Sequence, residues 1–223
     1  MYFLYPLWNS LRIAAISSVI VFFAGIFFAY YISKLPKWIK GIVDVIFTLP
    51  LVLPPTVCGY LLLLVFGKNY PIGNFLDSIG ISFIMTWQGG ILASIVVAFP
   101  LMYRTVRGSF ESFDENLASA GRTLGLSNTY VFWRIRIPAC QSGIVAGIVL
   151  SFARALGEYG ATSMLIGYIP YETATISTTV YHLWKGNQTN AALGWVLINI
   201  ILSAIMLLTV NLIENNGRRK KVK

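Results

Sequence analysis

The sequence predicts an all-α, polytopic bundle of about five transmembrane helices, and three observations carry that prediction. Of its 223 residues 57% are hydrophobic and only 11% charged, at a mean hydropathy of +0.71, whereas soluble domains carry about 25% charged residues. Apolar stretches approaching or exceeding the ~20 residues that cross a bilayer fall near 11–32, 42–66, 87–103, 139–156 and 191–213. Finally, thirteen of the 17 Lys and Arg residues lie in three clusters that abut these stretches: Lys34, Lys37, Lys40; then Arg104, Arg107, Arg122, Arg134, Arg136; then Arg218, Arg219, Lys220, Lys221, Lys223. Cationic loops are retained on the cytoplasmic face, so the net charge of +9 reports topology and not nucleic-acid binding.

Placing the three clusters inside puts the weakly charged stretches 1–10, 67–86 and 168–190 outside. Five spans then leave the N-terminus out and the C-terminus in. Residues 1–223 form one transmembrane domain in the lipid bilayer, with no room for a separate catalytic domain.

The first span is apolar nearly all round, and Lys34, Pro36 and Lys37 end it. The opening MYFLYPLW lacks the basic start and small-residue cleavage site of a removable signal, so this stretch is expected to stay as a helix. Pro50, Pro54 and Pro55 interrupt the second span. Proline removes a backbone donor and clashes with the preceding turn, which predicts a kink or local unwinding. Residues 67–83 are turn-rich, and Arg104 and Arg107 close the third span. The fourth continues past Gly157 and Gly160 toward Gly167. Two full spans there would move the basic tail outside, so 157–167 is read as a bend or partial re-entry. Cys58 and Cys140 sit in apolar segments as small hydrophobes, and no disulfide, metal site or cofactor is implied.

Residues 104–138 form a cytoplasmic loop too long and too patterned for a plain connector. Phe110, Phe113, Leu117, Ala120 and Leu124 recur at steps of three and four, which predicts one helix with a single apolar face. Glu111, Asp114 and Glu115 lie early and Arg122 later, the order the helix dipole favours. Gly125 is placed to end this helix, and Ser127 to cap a second through Arg136. The bland reading is an amphipathic helix lying on the membrane surface or packing on the bundle ends. More specific is the small-residue run Ser119-Ala120-Gly121, which lets another backbone approach closely.

That run resembles the loop motif of the permease subunits of bacterial ATP-binding cassette (ABC) importers: Glu-Ala-Ala, three residues, Gly, nine residues, Ile, one residue, Leu-Pro. Ser119, Ala120, Gly121, Gly125, Ile135, Ile137 and Pro138 fall in register, with Ser119 in place of the motif's Glu, Gly121 of its second Ala and Ile137 of its Leu. The stretches TLPLVLPPTVCGYLLL, AFPLMYRTVRGSFE, FARALGEYGAT and IPYETATISTTVY look like the molybdate permease branch, close to the sulfate and tungstate permeases. The resemblance implies an ABC importer permease fold and a homodimer. It also implies an extracytoplasmic oxyanion-binding protein and an ABC ATPase that docks on Ser119, Ala120, Gly121, Arg122, Thr123, Leu124, Gly125 and Leu126. The chain has no GxxxxGK[ST] phosphate-binding loop, so ATP hydrolysis falls to the partner and no catalytic residue is expected here.

Pathway candidates follow from broken backbone and buried charge. Pro50, Pro54, Pro55 and Thr56 lie where non-helical backbone is tolerated only in a protein interior or against a polar cavity, though they also suit a structural kink. Arg154 and Glu158 stand four apart, and charges inside membranes usually face a bundle interior. They suit either an oxyanion path or a self-neutralising pair. Thr162, Ser163, Thr173, Thr175, Ser177, Thr178 and Thr179 form a hydroxyl-rich outer region that lines an exit or caps helices and turns. His182 has no second ligand candidate and is read as an interfacial residue. A membrane-embedded enzyme lacks any catalytic set at membrane depth, and the patterned loop argues against a passive channel.

Overall fold

The computed structural model describes residues 4–221, with side chains described up to residue 208. Helix α1 (Tyr5–Ser33) begins earlier than the apolar stretch alone suggests. It buries Ala14, Ser17, Val21, Gly25, Ala29 and Ile32, a stripe of small or branched residues at steps of three and four. Such stripes let membrane helices approach closely. Helix α2 (Lys37–Val52) follows Pro36, and after Leu53 and Pro54 the chain resumes as α3 (Pro55–Phe66) at an angle of 113°. The proline segment therefore produces a sharp break, larger than a kink. Within the turn-rich connection lies a short helix, α4 (Pro71–Ser78).

Helix α5 (Trp87–Glu111) runs well past Tyr103. At 1.5 Å per residue it exceeds the ~30 Å hydrocarbon layer, so its basic end emerges from the apolar zone. The helix expected over residues 110–124 is divided. The break at 112–114 separates α5 from α6 (Glu115–Thr123), which is followed by α7 (Asn128–Val131), a π-helical turn at Phe132–Arg136 and α8 (Ile137–Ala139). A 72° bend at Cys140 leads into α9 (Gln141–Leu156). A second break at residues 157–159 precedes α10 (Gly160–Ile166), and α11 (Ile176–Lys185) and α12 (Thr189–Lys221) complete the chain. Among the described residues three helices are long and apolar enough to cross a membrane, or up to five spans if each bent pair counts as one.

The core is a three-helix contact centred on fully buried Met102 of α5. A Cβ placed on Gly25 of α1 would fall 2.5 Å from Met102 Cγ, and one on Gly147 of α9 would fall 2.7 Å from its sulfur. The two glycines thus make room for one methionine. A second cluster joins Cys58 and Leu62 of α3 to Ala93 and Val97 of α5 and to Ala161, Leu165 and Ile166 of α10.

Candidate functional site

Helix α6 is an outward-facing element with defined ends. Asp114 caps it by accepting from Asn116 N at 2.9 Å. Its far end closes on Gly125 at φ 79°, where Leu126 N donates to Gly121 O at 3.1 Å, the arrangement that a left-handed glycine permits. Only Ala118 and Gly121 are buried in this helix. The apolar face expected from Phe110 to Leu124 is therefore corrected: Phe110 and Phe113 are buried, but Leu117 is 50% and Leu124 80% exposed. Ser119, Ala120, Arg122, Thr123, Leu124 and Gly125 all face outward, and Leu126 is half-buried. The break at 112–114 rotates the later positions away from the core.

An ion pair fastens α6 to the bundle. Arg136, only 7% exposed, donates through Nη2 to Glu115 Oε1. Its guanidinium carbon lies 4.5 Å from the Phe113 ring centroid and 5.6 Å from that of Tyr30, within cation–π range. Where the motif has Glu, Ser119 is exposed; its hydroxyl accepts a 3.4 Å contact from Arg122 Nη2, and its carbonyl accepts from Thr123 Oγ1 at 3.0 Å. The carboxylate one turn earlier, Glu115, supplies the local acid. Ser127 caps α7 by accepting from Tyr130 N at 3.2 Å.

The two sequence breaks meet in space. A Cβ on Gly160 would fall 2.8 Å from Pro55 Cβ and 3.1 Å from Thr56 N, and one on Gly59 would fall 2.8 Å from Ala161 Cα. Pro54 and Thr56 are exposed, while Pro50 and Pro55 are half-buried. Glu158 lies beyond the end of α9, not on it, and is 3% exposed. Its Oε1 accepts from Ala161 N at 2.7 Å, while Oε2 lies 2.5 Å from Arg154 Nη1. One carboxylate thus caps α10 and neutralises Arg154, whose side chain remains 29% exposed.

Sequence reasoning missed a chain of charges between α2 and α5. Lys40 pairs with Glu111, Glu111 with Arg107 at 3.2 Å, and Arg107 with Asp44, whose Oδ1 also accepts from the Tyr103 hydroxyl. The available signal was Asp44 itself, an acid inside an apolar stretch, because such charges need partners. The hydroxyl-rich region divides. Thr162, Thr173, Thr175, Thr178 and Thr179 are buried, Thr175 and Thr178 form a capping box, and Thr173 Oγ1 accepts from Ile169 N at 2.9 Å. Ser163 bonds Gly160 O, whereas Ser177 borders an opening beside Tyr159, Trp184 and Asn199. His182 stacks on Tyr168 with ring centroids 4.1 Å apart.

Residues 21–221 match the family model described as the binding-protein-dependent transport system inner membrane component. The chain belongs to this family. It is a membrane-embedded permease subunit. The permease is 42% identical over 210 residues to the molybdenum transport system permease protein ModB of Escherichia coli (strain K12), covering 91% of each chain. It is 36% identical over 206 residues to the putative molybdenum transport system permease protein YvgM of Bacillus subtilis (strain 168), covering 92% of this chain and 91% of that protein. A more distant relative is a sulfate transport system permease protein, CysW of Synechocystis sp., at 33% over 78% of this chain and 63% of that one. Among solved structures, a bacterial ABC transporter that imports the acidic polysaccharide alginate superposes with a TM-score of 0.78 at 21% identity, covering 98% of this chain and 80% of that one. The MetNI methionine ABC transporter gives 0.71 at 15%, covering 95% and 94%. The permease therefore has the ABC importer permease fold.

Proposed function

We propose that this permease, as a homodimer with the N-terminus of each chain outside, carries an oxyanion inward, molybdate first among the candidates. An extracytoplasmic binding protein delivers the anion, and an ABC ATPase docked on α6 drives the cycle. The observation that carries the coupling half is the exposure of Leu124 and Leu117 on a helix whose own ends are capped and closed. A capped amphipathic helix with its apolar residues facing outward suits insertion into a groove of another protein. The molybdate half rests on the molybdenum permeases among the relatives.

Displacement of α6 has two routes into the membrane. One passes through residues 112–114 into α5, which the Arg107–Asp44 pair joins to α2 and so to the proline break. The other passes through Glu115 and Arg136 into the bend that begins α9. Both routes lead toward the meeting of Pro55 with Gly160, beside which Arg154 and Glu158 are paired. In this reading the paired breaks gate the path. Glu158 tempers the attraction of Arg154 for an oxyanion and so prevents trapping.

Uptake competition tests the reading. Vesicles holding the permease, its ATPase and the binding protein are expected to accumulate labelled molybdate in an ATP-dependent way, with excess sulfate having little effect. The second reading, sulfate or tungstate as cargo, is favoured by the sulfate permease among the relatives. Sulfate uptake unaffected by molybdate would establish sulfate as the cargo.

A further inference from the structure

We propose that an opening bounded by Tyr5, Arg12, Trp87, Gln88, Tyr171 and Glu172 is a seat for the binding protein, with an acidic side chain of that protein held over Arg12. The proposal rests on the functional reading above and names the contact that reading leaves unassigned. The opening, about 320 Å³, brings together the start of α1, residues 85–88 and residues 171–173. These come from, or directly adjoin, the three weakly charged stretches that the charge distribution puts outside. Direct bonds tie the start of α1 to the third stretch, Tyr5 donating to Glu172 O at 2.7 Å and Asn9 Nδ2 to Ala174 O at 3.1 Å, while Met85 N donates to Leu165 O of α10 at 3.2 Å.

Arg12 is held in place and incompletely used. Its guanidinium carbon lies 3.9 Å from the Trp87 ring centroid, and Nη2 donates to buried Asn9 Oδ1 at 2.7 Å. Nε is buried without a hydrogen-bond partner among the described residues. Arg12 forms no ion pair within 4.0 Å there, although Glu172 borders the same opening. Met85 at φ 56° and Tyr171 at φ 65° flank it, a left-handed conformation uncommon outside glycine and concentrated at functional sites.

The mixture decides between a free anion and a protein. A carboxylate in the same mouth repels a bare oxyanion, so this is a poor anion trap. One cation, one anion, Gln88 and three aromatic rings instead match the composition of protein-binding hot spots, where Trp, Tyr and Arg predominate. Complementary charges then set orientation and encounter rate.

The test uses the assembled transporter in lipid nanodiscs and reads ATPase rate against binding-protein concentration. Arg12→Gln keeps a polar stem over Trp87 and removes the charge; it is expected to raise the half-saturating concentration about tenfold with the maximum rate unchanged, and Arg12→Lys to restore most of it. Glu172→Gln is expected to lower the half-saturating concentration about threefold, a gain that loss of folding cannot mimic. Unchanged half-saturation in both Arg12→Gln and Glu172→Gln would overturn the proposal. So would a lower maximum rate at unchanged half-saturation, which would make Arg12 a pathway residue. Absence of any stimulation in the unmodified complex would instead overturn the functional reading.

Discussion

Arg107 of α5 and Asp44 of α2 form an ion pair at the point where the longest internal helix leaves the apolar layer. The pair also holds Tyr103 through Asp44 and Glu111 through Arg107. Because α2 has no buried residue of its own, these polar contacts and the rings of Phe47, Phe99 and Tyr103 fix its position.

Asp44→Asn removes the charge that Arg107 and the Tyr103 hydroxyl share. The expected cost is about 1–3 kcal/mol, seen as a lower melting temperature of the detergent-solubilised protein, together with reduced uptake. Exchanging the charges, Asp44→Arg with Arg107→Asp, is expected to recover part of both. No loss in the single variant would show that α2 is held by its rings alone.

Gly59→Val forces a branched side chain against the Ala161 backbone. Because the would-be Cβ lies 2.8 Å from Ala161 Cα, α3 and α10 must separate, at about 1–3 kcal/mol. Gly41, whose Cβ would meet nothing within 4 Å, is the control, and Gly41→Val is expected to leave the melting temperature nearly unchanged.

Arg154 and Glu158 separate a structural from a transport role when neutralised singly and together. Glu158→Gln leaves an acceptor for Ala161 N but removes the partner of the partly exposed Arg154 charge, so stability is expected to fall by about 1–3 kcal/mol. Arg154→Gln with Glu158→Gln is expected to restore stability while uptake stays low. Normal uptake in the double variant would return both residues to a structural role.

Gly125 and Ala120 test the small-residue surface. A Cβ on Gly125 would meet no atom within 4 Å, but Gly125→Leu must adopt φ near 79°, at about 1–2 kcal/mol. Ala120→Leu is exposed and unstrained. Both are expected to keep membrane insertion and lose ATPase association, the second without any change in melting temperature.

The membrane character, the breaks near Pro54 and Gly157, and the helix ends at Gly125 and Ser127 were legible because each depends on local chemistry. The facing of α6 was not. Periodicity from Phe110 to Leu124 assumed one continuous helix, and the break at 112–114, capped by Asp114, rotated Leu117 and Leu124 outward. Asp114 suits both the dipole of a continuous helix and the cap of a new one, and the two roles look alike in sequence. The Lys40–Glu111–Arg107–Asp44 chain was hidden for a different reason. Arg107 also marks topology, and Asp44 and Arg107, 63 positions apart, become neighbours only when α2 and α5 pack antiparallel.

The most direct measurement is retention of the ATPase on immobilised permease carrying Leu124→Asp. This side chain is 80% exposed in the permease alone, so the variant is expected to insert and melt like the unmodified protein. If α6 is the docking element, burying the new carboxylate in the partner's groove should cost at least a few kcal/mol, and retained ATPase should fall more than tenfold. Undiminished retention would contradict the assignment of α6 as the coupling helix.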